Sequence, residues 1–247
     1  MSLQSRAVTM TKQMIQIEST DPGTYENAMA DWITTQLAPY PNVRLSRQEV
    51  LPGRPNLIAE LTGDPSLPAL VMICHMDTVV VGDGWTLPPF DAIEKDGKIY
   101  GRGACDMKSG LACCLSAFQY AAETLQTSGK TPKQTLKLIC SMDEEDFMRG
   151  SEACIQAGWV TDHDWVIDAE PTNGQIQMAH KGRTWYEIDV QGHTAHASTP
   201  WKGADAIAAM AEIIREIRHA ILYAPVHPDM GSSTVTFGQI TGGYRPY

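Results

Sequence analysis

LICSMDEEDF, residues 138–147, joins two patterns that seldom stand side by side. Its first residues are apolar or small, which is typical of a buried strand. They run directly into four acidic residues: Asp143, Glu144, Glu145 and Asp146. Neighbouring carboxylates repel one another unless water or a cation compensates their charge. The stretch therefore predicts a covered strand that ends in a cation site or a solvated acidic turn, and the solvated turn is expected for Asp143 and Asp146.

Three other segments repeat the pattern of an apolar strand followed by side chains able to bind metal. They are VMICHMD (71–77), which ends in His75 and Asp77; KIYGRGACD (98–106), which ends in Asp106; and WVIDAEP (165–171), which contains Asp168 and Glu170. Ligands of open α/β sheets bind beyond the carboxyl ends of the strands. We therefore expect these side chains to form one cluster with Glu144 and Glu145.

Strands alternate with helices through the first part of the chain. Apolar periodicity and breaking residues predict helices over 7–19, 24–37, 109–125 and 150–159. The predicted strands are 56–63, 69–77, 98–103, 135–145 and 164–171. This alternation predicts an α/β fold with helices packed against a sheet.

The pattern changes at about residue 175. Three elements are predicted beyond it: a hairpin over 175–192 around Lys181–Gly182, an amphipathic helix over 203–223, and a strand over 232–243. We therefore divide the chain into a first domain over 1–175 and the start of a small α+β domain over 176–247.

Composition and charge argue against several classes of protein. The net charge of −10 argues against nucleic-acid binding, which needs a basic surface. No run of about 18 apolar residues is present, so no membrane span is expected. The first residues lack the basic and apolar regions of a signal peptide, and none of the six cysteines lies in a C-x-x-C pair. We therefore expect a cytoplasmic protein with reduced thiols.

Charge balance in the predicted cluster favours two divalent cations. Four carboxylates brought together would repel one another strongly unless they were protonated or neutralised. They belong to Asp106, Glu144, Glu145 and Glu170. Histidine mixed with carboxylate ligands suits zinc, with cobalt or manganese as substitutes, and two such ions about 3.5–4 Å apart form the usual hydrolytic pair. The alternative for His75 alone is a satisfied histidine of the core.

Asp77 and the two glutamates receive separate tasks. Residues two apart on a strand point the same way, so Asp77 can accept a hydrogen bond from the second ring nitrogen of His75 and orient it as a ligand. Glu144 and Glu145 can meet one site only where the strand has turned into a loop. One of them can then bind metal while the other takes a proton from water and passes it to the leaving amine.

The motifs argue against two other kinds of active site. GRGACDMKSG (101–110) contains G-x-G but has Asp106 where a dinucleotide loop needs its third glycine, and an aspartate there would repel a phosphate. No G-x-S-x-G is present, and no cysteine has an evident histidine partner. A nucleophilic serine or cysteine enzyme is therefore not expected.

Four motifs in a fixed order resemble a known family. They are CHMDTV (74–79), GRGACDMKSG (101–110), SMDEE (141–145) and AEPTN (169–173). The set resembles the dinuclear zinc metallopeptidases and deacylases that include acetylornithine deacetylase, succinyl-diaminopimelate desuccinylase, aminoacylase and glutamate carboxypeptidase. Members of that family usually have glycine in place of Cys74. Residues 181–207 resemble the start of that family's lid and dimerisation domain. The resemblance covers essentially the whole chain and implies a mixed sheet flanked by helices.

The resemblance implies a role for each candidate residue. Its metal ligands are His75 and Glu170 on one zinc, Asp106 bridging both zincs, and Glu145 on the second zinc. Glu144 is implied as the general base and acid, and Asp77 as the residue that orients His75. The peptide bond after Asp106 is expected to be cis.

The lid motif QGHTAHAS (191–198) offers two histidines, His193 and His196. In the family one lid histidine reaches the active site of a partner subunit and steadies the oxyanion, a role suited to a donor aimed at developing charge. The motif favours His196 for this role, while His193 stays open between that role and a surface loop. The resemblance thus implies a homodimer formed through 176–247.

The family's last metal ligand is a histidine that follows the lid, and no remaining histidine of this chain lies in a matching motif. We therefore expect the sequence to be part of a longer protein. The 247-residue chain alone is expected to be weak or inactive, and the intact protein active. Turnover by the chain alone at a rate typical of zinc hydrolases would contradict this expectation.

The residues and the resemblance together predict a zinc-dependent hydrolase that cleaves the amide bond of a small N-acyl amino acid or a short peptide. The alternatives are a dipeptidase or carboxypeptidase on the same scaffold, or a non-catalytic metal-binding homologue that acts as an oligomeric interaction protein. Glu144 argues against the non-catalytic homologue, because a site that no longer catalyses a reaction needs no general base.

Overall fold

The computed structural model describes residues 2–245, in two units, the first ending at Gly174 and the second beginning at Gln175. The helices of the first unit are α1 (Leu3–Ile15), α2 (Asn27–Leu37), α3 (Ser109–Ser128) and α4 (Arg149–Gln156). Its strands are β1 (Thr20–Asp21), β2 (Arg44–Leu51), β3 (Arg54–Leu61), β4 (Leu70–His75), β5 (Thr78–Val79), β6 (Ile93–Lys95), β7 (Lys98–Tyr100), β8 (Leu136–Ser141) and β9 (Trp165–Asp168). A π-helical turn, Ala104–Lys108, leads into α3.

Five strands form the central sheet, in the order β2-β3-β8-β4-β9. Strand β3 is antiparallel to both of its neighbours, β2 and β8. Strand β4 is parallel to both of its neighbours, β8 and β9. The sheet is therefore mixed, and the carboxyl ends of β8, β4 and β9 meet at one edge, where ligands of such sheets bind.

Successive side chains of the central strands enter two separate cores. On β3, Leu57, Ala59 and Leu61 pack in the core that also contains residues of α1, α2 and α3. Ile58, between them, packs in a second core with Cys154 of α4. A strand covered on both faces needs apolar side chains at consecutive positions, which explains the continuous apolar runs in the sequence. The predicted α/β fold, a mixed sheet flanked by helices, is confirmed.

Strands β1, β2, β5 and β6 are not predicted from the sequence, whereas β7 lies within the predicted strand over 98–103. Strand β2 lies at the sheet edge and is exposed or half-exposed along its length, so its side chains are polar and apolar in mixture. Strands β6 and β7 form a hairpin around Asp96 and Gly97, which both have positive φ. Because a type I′ turn needs positive φ at both central residues, Asp-Gly is a strong hairpin signal. The sequence therefore carries a usable sign of this hairpin, but none of β2.

The second unit is built around α5 (Ala206–Leu222). Asp205 caps this helix, because its carboxylate accepts hydrogen bonds from the N–H groups of Ile207 at 2.9 Å and Ala208 at 3.0 Å. Like every other helix within residues 2–245, α5 lacks the combination of length and apolar character needed to cross a membrane.

The predicted hairpin over 175–192 and the predicted strand over 232–243 are wrong, since the described residues of both segments form no strand. No described side chain of this unit is buried, and alternation specifies strand pairing only where one face is buried. The assignment of 1–175 as a catalytic domain and of 176–247 as a lid and dimerisation domain stays a prediction.

Candidate metal centre

His75 stands at the centre of a cluster of acidic side chains. It is the last residue of β4, and its side chain is 1% exposed. Its Nε2 atom lies 3.1 Å from Asp106 Oδ1, 3.5 Å from Glu170 Oε1 and 3.9 Å from Glu144 Oε2. One ring nitrogen therefore faces carboxylate oxygens from three separate parts of the chain.

The acidic side chains reach the histidine because the elements that carry them end together. Glu144 and Glu145 follow β8, and Glu170 follows β9, and these two strands are the parallel neighbours of β4. Asp106 lies in the π-helical turn before α3. Its peptide bond to Met107 is cis, as the resemblance implies. The cluster is thus a product of the parallel strand order and of the turn that enters α3.

Two sets of side chains in this cluster place one ligand atom each within 4.8 Å of one another. One set is His75, Asp106 and Glu145, and the other is His75, Glu144 and Glu170. The structure thus brings together all four predicted metal ligands and the predicted base. Which acid binds a cation and which moves a proton stays a prediction.

Asp77 contacts the histidine in a different way from the predicted one. The Nδ1 atom of His75 lies 2.9 Å from the backbone oxygen of Asp77 and 3.6 Å from its carboxylate. The carboxylate accepts hydrogen bonds from the backbone N–H groups of Glu144, at 3.1 Å, and Glu145, at 2.9 Å. Asp77 therefore orients His75 through its main chain and holds both glutamates through its side chain.

Residues 143–146, which we call the acidic loop, are only partly solvated. The prediction of a solvated turn is wrong for Asp143, whose side chain is 0% exposed. Its carboxylate accepts a hydrogen bond from Nη2 of Arg149 at 2.7 Å. Asp146 is half-buried, with one carboxylate oxygen 4.0 Å from the same guanidinium. A buried carboxylate needs such a partner, because an unpaired charge is strongly destabilising in the interior.

The electrostatics of the cluster call for positive charge. Burial lowers the pKa of His75, but the carboxylates of Asp106 and Asp77 outweigh it and raise this pKa to about 11. Burial raises the pKa of Glu170 to about 8, against the opposing effect of His75. Burial and the charge of Asp106 also raise the pKa of Glu145. A nearby divalent cation favours the ionised form of such carboxyl groups. The mixed nitrogen and oxygen donors of the cluster fit zinc.

The two candidate histidines of the lid motif lie in the second unit. His196 is exposed, and its Nδ1 atom accepts a hydrogen bond from the backbone N–H of Ser198 at 3.2 Å. His193 is also exposed and pairs through its backbone with Ala204. The unit that carries His75 and its surrounding carboxylates ends at Gly174, and the role of His196 stays a prediction.

Comparison with known proteins identifies the family. The family model described as Peptidase family M20/M25/M40 matches residues 71–241. The chain belongs to this family. The family resemblance drawn from the four motifs is thereby confirmed.

Curated relatives of this M20 chain carry deacylase names. A probable succinyl-diaminopimelate desuccinylase of Staphylococcus aureus (strain Mu50 / ATCC 700699) is 36% identical over 167 residues, which cover 67% of this chain and 40% of that protein. An acetylornithine deacetylase of Buchnera aphidicola subsp. Schizaphis graminum (strain Sg) is 34% identical over 175 residues, which cover 68% of this chain and 44% of that protein. The M20 chain thus spans less than half the length of these relatives.

Solved structures share the fold of the M20 chain. Aminopeptidase PepT from Bacillus cereus ATCC 10987 matches with a TM-score of 0.58 and 22% identity, covering 98% of this chain and 62% of that chain. A tripeptidase from Staphylococcus aureus subsp. aureus Mu50 matches with a TM-score of 0.53 and 21% identity, covering 85% and 56%. At such identities the likeness concerns the fold alone.

Two arginines that contact the acidic loop of the M20 chain are not predicted from the sequence. Arg149 opens α4, and Arg54 opens β3, in which every residue is buried. Both guanidinium groups contact Asp143. Arginine is almost never buried unless it is paired. An arginine that begins a largely apolar strand, as Arg54 does, is therefore a local sign in the sequence that a buried acidic partner exists.

Gly110 lets α3 approach the segment that carries Glu170. A Cβ atom at position 110 would lie 2.2 Å from the backbone oxygen of Ala169. Helix propensity alone would make Gly110→Ala stabilising by about 1 kcal/mol, but the contact would force the helix and the strand end apart. We therefore expect Gly110→Ala to lower the free energy of unfolding by about 1–3 kcal/mol, measured by urea denaturation.

The control for this substitution is Cys113→Ala, at an exposed position of the same helix. It is expected to change the free energy of unfolding by less than about 0.5 kcal/mol. A Gly110→Ala protein as stable as the wild type, or more stable, would contradict the close approach of α3 to Ala169.

Proposed function

We propose that the whole protein is a zinc-dependent hydrolase that cleaves the amide bond of an N-acyl amino acid or of a short peptide. The observation that carries the proposal is the convergence of His75 and four carboxylates at the edge where three parallel strands end. Membership of the M20 family supports a reaction at amide or peptide bonds.

The donor set fits two zinc ions, with Co²⁺ or Mn²⁺ as substitutes. The proposed ligands are His75, Asp106, Glu145 and Glu170. Divalent ions bound there supply Lewis acidity, which makes water a better nucleophile near neutral pH and polarises the substrate carbonyl. The chain's own contribution is to hold the donors in place, since Asp77 fixes the ring of His75 on its Nδ1 side and leaves Nε2 facing the carboxylates.

Glu144 is proposed as the group that moves the proton. Its side chain is 28% exposed, against 1% for His75, so water and substrate can reach its carboxylate. The hydrogen bond from its N–H to Asp77 fixes the backbone from which the side chain projects. The carboxylate takes a proton from the attacking water and passes it to the leaving nitrogen.

The substrate class, the assembly and the location rest on the relatives and the resemblance. Relatives named as a desuccinylase and a deacetylase favour a small N-acyl amino acid as substrate. The resemblance favours a homodimer formed through 176–247, in which His196 steadies the oxyanion in the other subunit. A cytoplasmic location accords with six cysteines that are all unpaired in the structure.

The test uses the full-length natural protein. Metal content is measured by elemental analysis, and hydrolysis of N-succinyl amino acids, N-acetyl amino acids and dipeptides is measured before and after chelation. We expect cleavage, strongest for the N-acyl amino acids, that is lost with the metal and restored by Zn²⁺ or Co²⁺. Bound metal without hydrolysis of any amide would instead favour a non-catalytic metal-binding homologue.

A further inference from the structure

Arg54 is buried behind the acidic loop, in contact with three carboxylates. Its side chain is 9% exposed and lies 4.2 Å from the centre of the Tyr25 ring. Its guanidinium contacts Glu26 at 2.9 Å, Asp21 at 2.5 Å and Asp143 at 3.3 Å. All three carboxylates are buried. Buried acids of this kind are stable only with a countercharge, and the guanidinium is one that they share.

Contacts continue from Arg54 into the backbone of the acidic loop. Glu26 accepts a hydrogen bond from the N–H of Asp143 at 3.1 Å. The Asp143 carboxylate in turn accepts hydrogen bonds from the backbone N–H of Arg149 at 3.3 Å and from its Nη2 at 2.7 Å. Asp143 has a φ of 62°, in the left-handed region that residues other than glycine seldom adopt. Buried charges therefore hold the loop in an unusual backbone conformation at its first residue.

Asp77 links the same network to the two proposed active-site glutamates. Its carboxylate accepts hydrogen bonds from the N–H groups of both. One carboxylate oxygen each of Asp77, Asp21 and Glu26 lies within 4.8 Å of the others. Three buried carboxylates at such distances repel one another, and Arg54 contacts two of them directly. The positive charge of Arg54 therefore acts on Asp77, whose carboxylate holds the two glutamates, as well as on Asp143.

We propose that Arg54 is a positioning residue for the reaction: it neutralises the buried acids behind the acidic loop and so fixes the loop at the metal cluster. Arg54 acts through Asp143, Glu26 and Asp77 rather than on substrate. The catalytic consequence rests on the proposed function, whereas the ordering of the loop can be measured without it.

Two substitutions test the proposal in the full-length protein. Arg54→Gln removes the shared charge. Asp143→Asn removes the charge that Arg54 and Arg149 hold, but keeps a residue type that tolerates positive φ. The matched control is Arg47→Gln on β2, because Arg47 pairs with the exposed Asp31. Hydrogen exchange is carried out on the metal-free protein, and mass spectrometry gives the exchange rate of the peptide that covers residues 142–147. This rate reports how ordered the acidic loop is. Titration with Co²⁺ reports the cation affinity.

We expect both variants to exchange faster in 142–147 by at least about tenfold, because the loop opens locally. Their Co²⁺ affinity should fall by about 10–100-fold, as it does when a partner that orients a ligand is lost. Exchange in β8 should not change, and Arg47→Gln should match the wild type in both measurements.

Unchanged exchange and affinity in the folded variants would overturn the proposal. A uniform acceleration that includes β8 would overturn it as well, because it would indicate a role in global stability alone. If Arg54→Gln does not fold, Asp143→Asn decides. A wild-type protein that binds no Co²⁺ would contradict the proposed function, while exchange in 142–147 would still decide whether the network orders the loop.

Discussion

Glu144→Ala is expected to lower kcat of the full-length protein by about 10²–10⁴-fold, the range that a general acid–base group contributes. Metal content is expected to stay the same, because the four proposed ligands remain and the N–H at position 144 can still bond to Asp77. The measurement is steady-state hydrolysis of the best N-acyl substrate, with elemental analysis of the same sample. A large loss of kcat at full metal content would separate proton transfer from cation binding.

Glu145→Ala and Glu152→Ala are the matched controls for this experiment. Glu145 shares the Asp77 anchor, but its proposed task is to bind a cation, so Glu145→Ala should lose metal together with activity. Glu152 is exposed on α4 and should be neutral in both measurements. Turnover that survives Glu144→Ala, or metal that is lost from it, would mean that the tasks of the two neighbouring glutamates are assigned wrongly.

The strand ends that build the cluster could be predicted from the sequence because each is a local pattern. An apolar run followed by His75, or by Glu144 and Glu145, needs only its own residues to be recognised. The order of the strands could not be read in this way, since β8 inserts between β3 and β4. The meeting of His75, Glu144, Glu145 and Glu170 was nevertheless predictable, because parallel strands end at the same edge whatever their order. The same reasoning was wrong for Asp106, because β7 lies outside the central sheet and Asp106 is carried by the π-helical turn before α3.

Periodicity fails in two opposite ways in this chain. Strand β2 has no clear apolar pattern, because it lies at the sheet edge and pairs with β3 on one side only. Residues 175–192 have the pattern of a hairpin but form none, because no described side chain of their unit is buried. Alternation of apolar and polar residues indicates a strand with one buried face. A strand at the edge of a sheet can pair without a buried face, so it can lack this alternation.

The network behind the acidic loop could not be predicted because its partners are far apart in sequence. Arg54 and Glu26 are 28 positions apart, and Glu26 and Asp143 are 117 positions apart. Asp143 therefore looks like one more acid of a solvated turn, although it is fully buried. A single sequence shows which faces are apolar, but it does not show which buried charges meet.

His75→Ala is expected to weaken the affinity for Zn²⁺ by more than about 100-fold, beyond the 10–100-fold cost of losing a partner that only orients a ligand. His75 is the member shared by the two sets of ligand atoms, and it is the one nitrogen donor in each. Three carboxylates lie within 4 Å of its Nε2 atom, and they still repel one another when the ring is removed. The site also loses the nitrogen donor that favours zinc over harder ions. The affinity is measured by competition with a chromophoric chelator.

The control is His163→Ala, an exposed histidine of the same unit, which should bind Zn²⁺ as the wild type does. Circular dichroism and urea denaturation establish that both variants are folded before the titration. A folded His75→Ala protein with wild-type affinity would contradict the assignment of His75 as a ligand, because Asp106 and Glu170 both face its ring. Loss of Zn²⁺ from His75→Ala alone would tie metal binding to the carboxyl end of β4.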